Sequence, residues 1–476
     1  MARINTNVGA ITAQRHLANS FRSLQGTLEH LSTGLRINHG KDDPVGLILS
    51  ERLRSESGAV SAAISNTQRA GLIIATAEGA LDEVAALLRD IQSLIVQAAN
   101  EGAMSEDEIR ANQLQIDSAV ASIERIANST TFAGRYLLNG SLDYVTSGVD
   151  NDVIDALAIH GAQFGTRDYI PVRLEVTTSA QYAQLQFRGS AIASSVTIEI
   201  AGNLGVTTLS FVSGTTASAM VEAINAISDA TGVYATLMSN PLSGFTMRSA
   251  GLGSRHFVSI QVLPGSGTFQ TYTMDGQTRR RATGRDASAI INGAESIGDG
   301  NRLTLRTATL DLELTLNESF GAGTTQFTIT EGGALFQVGP HVNTALQIGV
   351  GVQSVTPSRL GNSAVGFLSQ IVTGEEYSLV TGRYTEASRI VTEAINQVAI
   401  IRGRLGALEK NTLQTNMNQL GITMENQLAA ESAIRDADIA YEVSQLTRNQ
   451  VLVNSGIAAL SLTTQTPQMV LRLLTG

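Results

Sequence analysis

Apolar residues recur at alternating steps of four and three near both ends of the chain. Leu17, Phe21, Leu24, Leu28, Leu31 and Leu35 form one stripe. Ile439, Val443, Leu446, Val453, Ile457 and Leu460 form the other, with Gln450 in the one place skipped. A stripe this narrow suits a seam between helices better than the broad face of a globular core. The spacing predicts a first helix from about Asn5 to Leu35, ended by Gly34 or by the run from Arg36 to Pro44, where pre-proline Asp43 disfavours helix. A second helix is predicted from Val45 toward Asn100 on Ile74, Leu81, Val84, Leu88, Ile91, Ile95 and Ala98. A third begins at Ser105, followed by the acids Glu106, Asp107 and Glu108 that suit a helix start, and ends near Asn128 to Thr131. Toward the other end Val391, Ile395, Val398, Leu405, Leu408, Leu420, Met424 and Leu428 predict helix from Tyr384 to Ile434. A final helix is expected from Asp438 to Leu462, stopping before Pro467.

The middle of the chain changes period. Residues 169–176, 196–200, 303–306 and 310–316 alternate apolar and polar, as strands with one buried face do. One helix, Ala217 to Ile227, interrupts them after the turn Ser213-Gly214-Thr215-Thr216. Of the 21 Phe and Tyr residues, 16 lie between Gly140 and Arg383, which places the boundaries of this region near those positions. The expected fold class is therefore α+β, with long N- and C-terminal helices pairing into a coiled-coil-like bundle around an inserted β-rich middle.

Charge and chemistry narrow the function. A net charge of -10 over 476 residues argues against nucleic-acid binding through bulk electrostatics. The basic run Arg279, Arg280 and Arg281 reads as a solvated turn. There is no cysteine, hence no disulfide, thiolate metal site or cysteine nucleophile. No stretch approaches a membrane span, and no signal-peptide pattern opens the chain, so the protein is expected to be cytoplasmic or to leave the cell by another route. The two lysines, Lys41 and Lys410, precede Asp42 and Asn411, which excludes a phosphate-binding loop ending in Lys-Ser or Lys-Thr. No serine sits in a Gly-x-Ser-x-Gly elbow, and the six histidines form no His-Glu-x-x-His. Gly298-Asp299-Gly300 and Gly349-Val350-Gly351 read as ordinary turns, and Asp150, Asn151, Asp152 and Asp155 as a solvated linker. The expectation is no enzyme, no catalytic residue, no cofactor and no metal.

The outermost segments lie beyond turn signals at both ends and offer two seams. Two helices alone bury little and are marginal in water. Neighbouring copies are expected to supply the missing helices through head-to-tail contacts that do not close on themselves.

Particular residues then carry a resemblance. The run from Ser32 to Leu47 (STGLRINHGKDDPVGL), the opening Ala2-Arg3-Ile4-Asn5-Thr6-Asn7, the run Ala433-Ile434-Arg435-Asp436-Ala437-Asp438-Ile439-Ala440 and the closing run from Pro467 to Leu474 resemble bacterial flagellin. The resemblance covers about the first 140 and last 130 residues. It implies a structural subunit that polymerises into the flagellar filament for swimming. It further implies export through the flagellar export apparatus with an export chaperone and without a cleaved signal peptide, and contact with the filament cap and hook-associated proteins, with no nucleic acid and no membrane insertion. Residues 1–40 and 438–476 would form an inner terminal layer, 41–140 and 355–437 an outer helical bundle, and 141–354 a surface-exposed variable region of one or two domains. Arg36, Lys41, Asp42, Asp43, Arg435, Asp436 and Asp438 would form the junction between layers, setting register through ion pairs. Many flagellins also resemble one another in an Arg-rich stretch recognised by an innate immune receptor. Here Arg89 and Leu94 keep that pattern, while Asp90 and Gln92 stand in place of arginines and Gln115 in place of the supporting glutamate, which predicts weak recognition. Two other readings are a hook-filament junction protein, and a flagellin whose middle is a ligand-binding or adhesive module.

Overall fold

The computed structural model describes residues 6–475 apart from 101, 166, 240–243 and 308, and for 466–475 the backbone alone. The chain divides into two compact units, residues 1–69, 338–342 and 412–476 in one and residues 70–337 and 343–411 in the other.

In the first unit α1 (Val8–Thr33) pairs with α8 (Ile439–Thr475). Asn7 caps α1, its Oδ1 accepting from the Ala10 N–H at 3.0 Å. Gly34, at φ +73°, ends it in the left-handed conformation that glycine adopts without penalty. The final helix runs past Pro467, where the sequence predicted a stop. Proline has no N–H to give the carbonyl four residues earlier, which is that of Thr463. That carbonyl accepts instead from Asn7 Nδ2 at 2.7 Å, so one asparagine serves both helices. The first part of α2 (Pro44–Ala98) packs on α7 (Gln414–Arg435) through a small core of Val60, Ala63 and Leu420.

The second unit continues α2 and adds α3 (Glu106–Ser129) and α6 (Tyr384–Leu408). The seam residues Ile74, Leu81, Val84, Leu88, Ile91, Ile95 and Ala98 are all buried, as are Ile116 and Ile123 of α3 and Ile390, Val391 and Val398 of α6. Ser105 caps α3 in a reciprocal capping box with Glu108. Gln113 on α3 is fully buried and satisfied: its Nε2 donates to the Ile371 carbonyl at 2.9 Å and its Oε1 accepts from the Leu379 N–H at 2.7 Å. The helix expected over 384–434 is interrupted by a π-helical turn, Glu409–Leu413, that separates α6 from α7.

The middle holds two nested β domains. The outer one contains β1 (Tyr144–Ser147), β2 (Ile154–Ala162) and β3 (Ile170–Thr178) before the insertion. After it come β12 (Ser288–Ile291), β13 (Ala294–Glu295), β14 (Ile297–Asp299), β15 (Arg302–Arg306), β16 (Leu310–Leu316) and β17 (Gly323–Gly332). They form antiparallel sheets ordered β13-β12-β3-β17-β1 and β14-β15-β16-β2 around one core that includes Val172, Leu174, Leu312 and Ile329. The inserted domain contains β4 (Tyr182–Phe187), β5 (Val196–Ala201), β6 (Val206–Phe211), β7 (Val233–Leu237), β8 (Phe245–Leu252), β9 (Phe257–Val262), β10 (Thr271–Tyr272) and β11 (Arg281–Thr283). Its sheets, β10-β4-β8-β7 and β11-β9-β5-β6, enclose a separate core with Phe245, Met247, Ile198 and Ile260. Two short helices, α4 (Ala217–Asn225) and α5 (Ser228–Thr231), pack against β6 and β7, and Met220 and Ile224 enter that core. The strands and the helix read from the sequence are all present, and the alternation of apolar positions is the alternation of buried ones.

Candidate functional site

The paired terminal helices carry two kinds of surface. On α1, Ala13, Leu17, Ser20, Leu24, Thr27 and Leu31, at steps of four and three, are among the residues turned out of solvent, as is His30. On α8 they include Glu442, Leu446, Asn449, Val453, Gly456, Leu460 and Thr463. The apolar stripe of the sequence therefore splits. Leu17, Leu24 and Leu31, with Leu446, Val453 and Leu460, lie on the inward seam, and small or polar residues fill every other inward place. Gly456 allows close approach, because a β-carbon there would lie 3.0 Å from Leu17 Cδ1. Asn449 Nδ2 donates to Thr27 Oγ1 at 3.0 Å, and Thr27 donates to the Ser23 carbonyl at 3.0 Å. Glu442 Oε1 lies 3.0 Å from His30 Nδ1. Polar pairs at seam positions fix register where a wholly apolar seam could slide.

The other half of the stripe faces outward. Phe21 and Leu28 are each 49 % exposed, and Ile439, Val443 and Ile457 are 52 %, 48 % and 49 % exposed. Leu35 is half-buried and bridges antiparallel to Asp436. Scanning for apolar spacing found the residues but not this division. The signal was present in the seven-residue recurrence of Glu442, Asn449, Gly456 and Thr463, which a search for hydrophobic positions passes over.

The junction residues meet in the turns joining α1 to α2 and α7 to α8. The Arg36 N–H donates to the Arg435 carbonyl at 2.7 Å and the Ala437 N–H to the Gly34 carbonyl at 2.9 Å, a two-strand clasp between the turns. The Arg36 guanidinium reaches the Ile434 carbonyl and lies 4.0 Å from Asp43. Arg435 pairs with Glu51 at 3.0 Å. The acids act mainly as caps. Asp42 accepts the His39 and Asn38 N–H groups, the His39 bond foremost in holding its carboxyl below the usual range. Asp43 accepts the Gly46 N–H at 2.9 Å, Asp438 the Tyr441 N–H at 3.1 Å, and Asp436 the Ser432 hydroxyl at 2.6 Å. Lys41 is exposed. Gly46 is required, since a β-carbon there would lie 2.7 Å from the buried Ile37 and 2.4 Å from Asp43 Oδ2. On α2 and α3, Arg89, Asp90 and Gln115 are exposed and Leu94 is half-buried. Of the acids the sequence placed in a solvated linker, Asp150 Oδ1 accepts the Asp152 N–H at 3.0 Å, while Asp155 lies in β2 and accepts the Ser363 hydroxyl at 2.6 Å.

Comparison with known proteins assigns these ends. Residues 4–143 match the bacterial flagellin N-terminal helical region, and residues 388–474 the bacterial flagellin C-terminal helical region. The chain belongs to the bacterial flagellins. A flagellin hook IN motif matches residues 197–251, inside the inserted β domain. The flagellin is 26 % identical to Flagellin A of Helicobacter pylori over 99 % of both chains, and 28 % identical to the B-type flagellin of Pseudomonas aeruginosa over the same shares. With the polar flagellin F of Vibrio parahaemolyticus it shares 41 % identity over 29 % of this chain and 36 % of that one. Among solved structures, hook-associated protein-3 of Legionella pneumophila aligns at 11 % identity and TM-score 0.32, covering 81 % of this chain and 98 % of that one. Like its relatives, this flagellin is a structural subunit of the extracellular flagellar filament and not an enzyme.

Proposed function

We propose that residues 1–40 and 438–476 form the innermost layer of the filament, and that the outward column of Phe21, Leu28, Ile439, Val443 and Ile457 is covered there by the same helices of neighbouring subunits. Around it, residues 41–140 with 355–437 make an outer helical bundle, and residues 141–354 make the filament surface. The observation that carries this reading is the column itself: large apolar side chains left half in water on a helix pair that already has a satisfied inward seam. Arg36, Lys41, Asp42, Asp43, Arg435, Asp436 and Asp438 hold the turns between layers in register, mostly as caps, because exposed ion pairs add only about 0 to 1 kcal/mol each. The subunit travels unfolded through the flagellar export apparatus with an export chaperone and without a cleaved signal peptide, and it meets cap and hook-associated proteins at the ends of the filament. A chain without cysteine, and with no helix among the described residues apolar enough to cross a membrane, suits that route. Asp90 makes the Arg89, Leu94 and Gln115 surface a weak match for an innate receptor.

Purified protein seeded with short filament fragments should elongate them under the electron microscope, and deletion of Ile457 to Gly476 should abolish growth. Continued growth of the shortened chain would overturn the layer assignment.

A further inference from the structure

The inserted β domain differs in charge from the rest of the chain. Between Gln181 and Arg285 stand seven arginines and four carboxylates, with no lysine, in a protein of net charge -10. Arg248 stands on the solvent face of the sheet β10-β4-β8-β7, and Arg188 follows the last residue of β4. Along β4 and β8 the inward residues are Ala183, Leu185, Phe187, Phe245 and Met247, so the intervening Gln184, Gln186 and Arg248 face out. Register sets Arg248 opposite Gln184, and Tyr272 opposite Gln186.

Both guanidinium groups are held on tyrosine rings. Arg248 lies 4.8 Å from the centroid of Tyr182, whose hydroxyl is fixed by donation to Glu318 at 2.7 Å. Arg188 lies 4.9 Å from the centroid of Tyr272. Its Nη2 would be 3.6 Å from a β-carbon at Gly276, a residue at φ +80°. Among the described residues neither Arg188 nor Arg248 makes an ion pair, whereas Arg255 of the same domain pairs with Asp299 at 3.1 Å. Stacking engages the flat face of a guanidinium and leaves its N–H edge for a carboxylate or sulfate, with little side-chain freedom left to lose on binding.

We infer that this sheet face binds an acidic polysaccharide. The stacked arginines take anionic groups several sugars apart on one chain, and Gln184 and Gln186 between them take hydroxyls. Arg248 stands opposite Gln184 and Arg188 comes four positions later, so at about 3.3 Å per residue the two lie about 13 Å apart along the strand, the reach of several sugars of one chain. A nucleic acid asks for denser basic charge and for ring faces open to base stacking. Here the rings of Tyr182 and Tyr272 already carry arginine.

The test uses assembled filaments of the full chain, sedimented with fluorescent polygalacturonate, with neutral dextran, or with polygalacturonate in competition with double-stranded DNA. Polygalacturonate should be retained at least about tenfold over dextran at about 50 mM salt and released at about 500 mM, where screening is short-ranged. The double variant Arg188→Gln/Arg248→Gln should lose about tenfold in retention, and Arg188→Lys/Arg248→Lys most of it, because the charge remains but the planar fork is gone. Arg255→Gln should bind like the parent. Normal seeded growth of each variant shows that the subunit still folds. Retention no better than dextran, unchanged binding by both double variants, or displacement by DNA at equal phosphate-to-carboxylate concentration would each overturn the inference.

Discussion

The outward column on the terminal helices makes a quantitative prediction about assembly. Phe21 leaves 49 % of its surface in water. A phenylalanine buries on the order of 200 Å² when fully covered, so neighbouring subunits can remove about 100 Å². At about 25 cal/mol per Å² this is about 2.5 kcal/mol. Replacing Phe21 by Ser should therefore weaken subunit addition by roughly 60-fold, since each 1.4 kcal/mol is about a factor of ten. The measurement is the concentration of monomer left in equilibrium with seeded filaments, read after pelleting the polymer. Leu28, two turns along the same face and equally exposed, should contribute about 2 kcal/mol by the same arithmetic, from about 85 Å² covered. Two turns are about 10 Å, far enough for the effects to add, so the double variant should show the product of the two shifts. A residual monomer concentration within about threefold of the parent for Phe21→Ser would refute the idea that subunits cover this column, because even half the expected burial exceeds that change.

Other consequences can be checked on the monomer or on the filament. Leu88→Ala opens a cavity in the buried seam of α2 and should lower unfolding stability by about 2 to 5 kcal/mol in denaturant titration. Thr27→Val combined with Asn449→Ala should show a coupling of about 1 kcal/mol in a double-mutant cycle on filament dissociation, the scale of one neutral buried hydrogen bond. His160 is pushed down to about 3 by burial first and then by Arg404, Arg306 and Arg302. Because the unfolded chain takes up that proton near pH 6.5, the stability tied to neutral His160 is complete above that value and is lost as pH falls toward about 3. Melting midpoints of His160→Asn should accordingly fall less steeply between pH 7 and 4 than those of the parent.

Much of the helical architecture was legible because its signals are local. Gly34 and Ser105 mark ends by backbone conformation and capping, and the Ile74 to Ala98 series is buried at the spacing the sequence displays. The strands were equally plain, since each buries one face. Three features were not readable because they depend on partners distant in sequence. The final helix continues through Pro467 with the freed Thr463 carbonyl taken by Asn7, 456 residues earlier. The inward seam of α8 is half polar, which becomes sensible only once Thr27 and His30 are seen opposite Asn449 and Glu442. Two β cores rather than one follow from strand pairing order, which alternation does not encode.

The bridges that close each level of the fold have a consequence for how such chains change over time. Leu35 faces Asp436 at one level, and Gln181 faces Arg285 at another, where the two backbones exchange hydrogen bonds of 2.8 and 3.0 Å. At each level the chain enters and leaves through one narrow doorway. Hydrogen-bonded partners of this kind sit about 5.5 Å apart, a gap that a two-residue turn spans. The chain between Gln181 and Arg285 can thus change in length or sequence without moving the doorposts, while the terminal helices keep their own geometry.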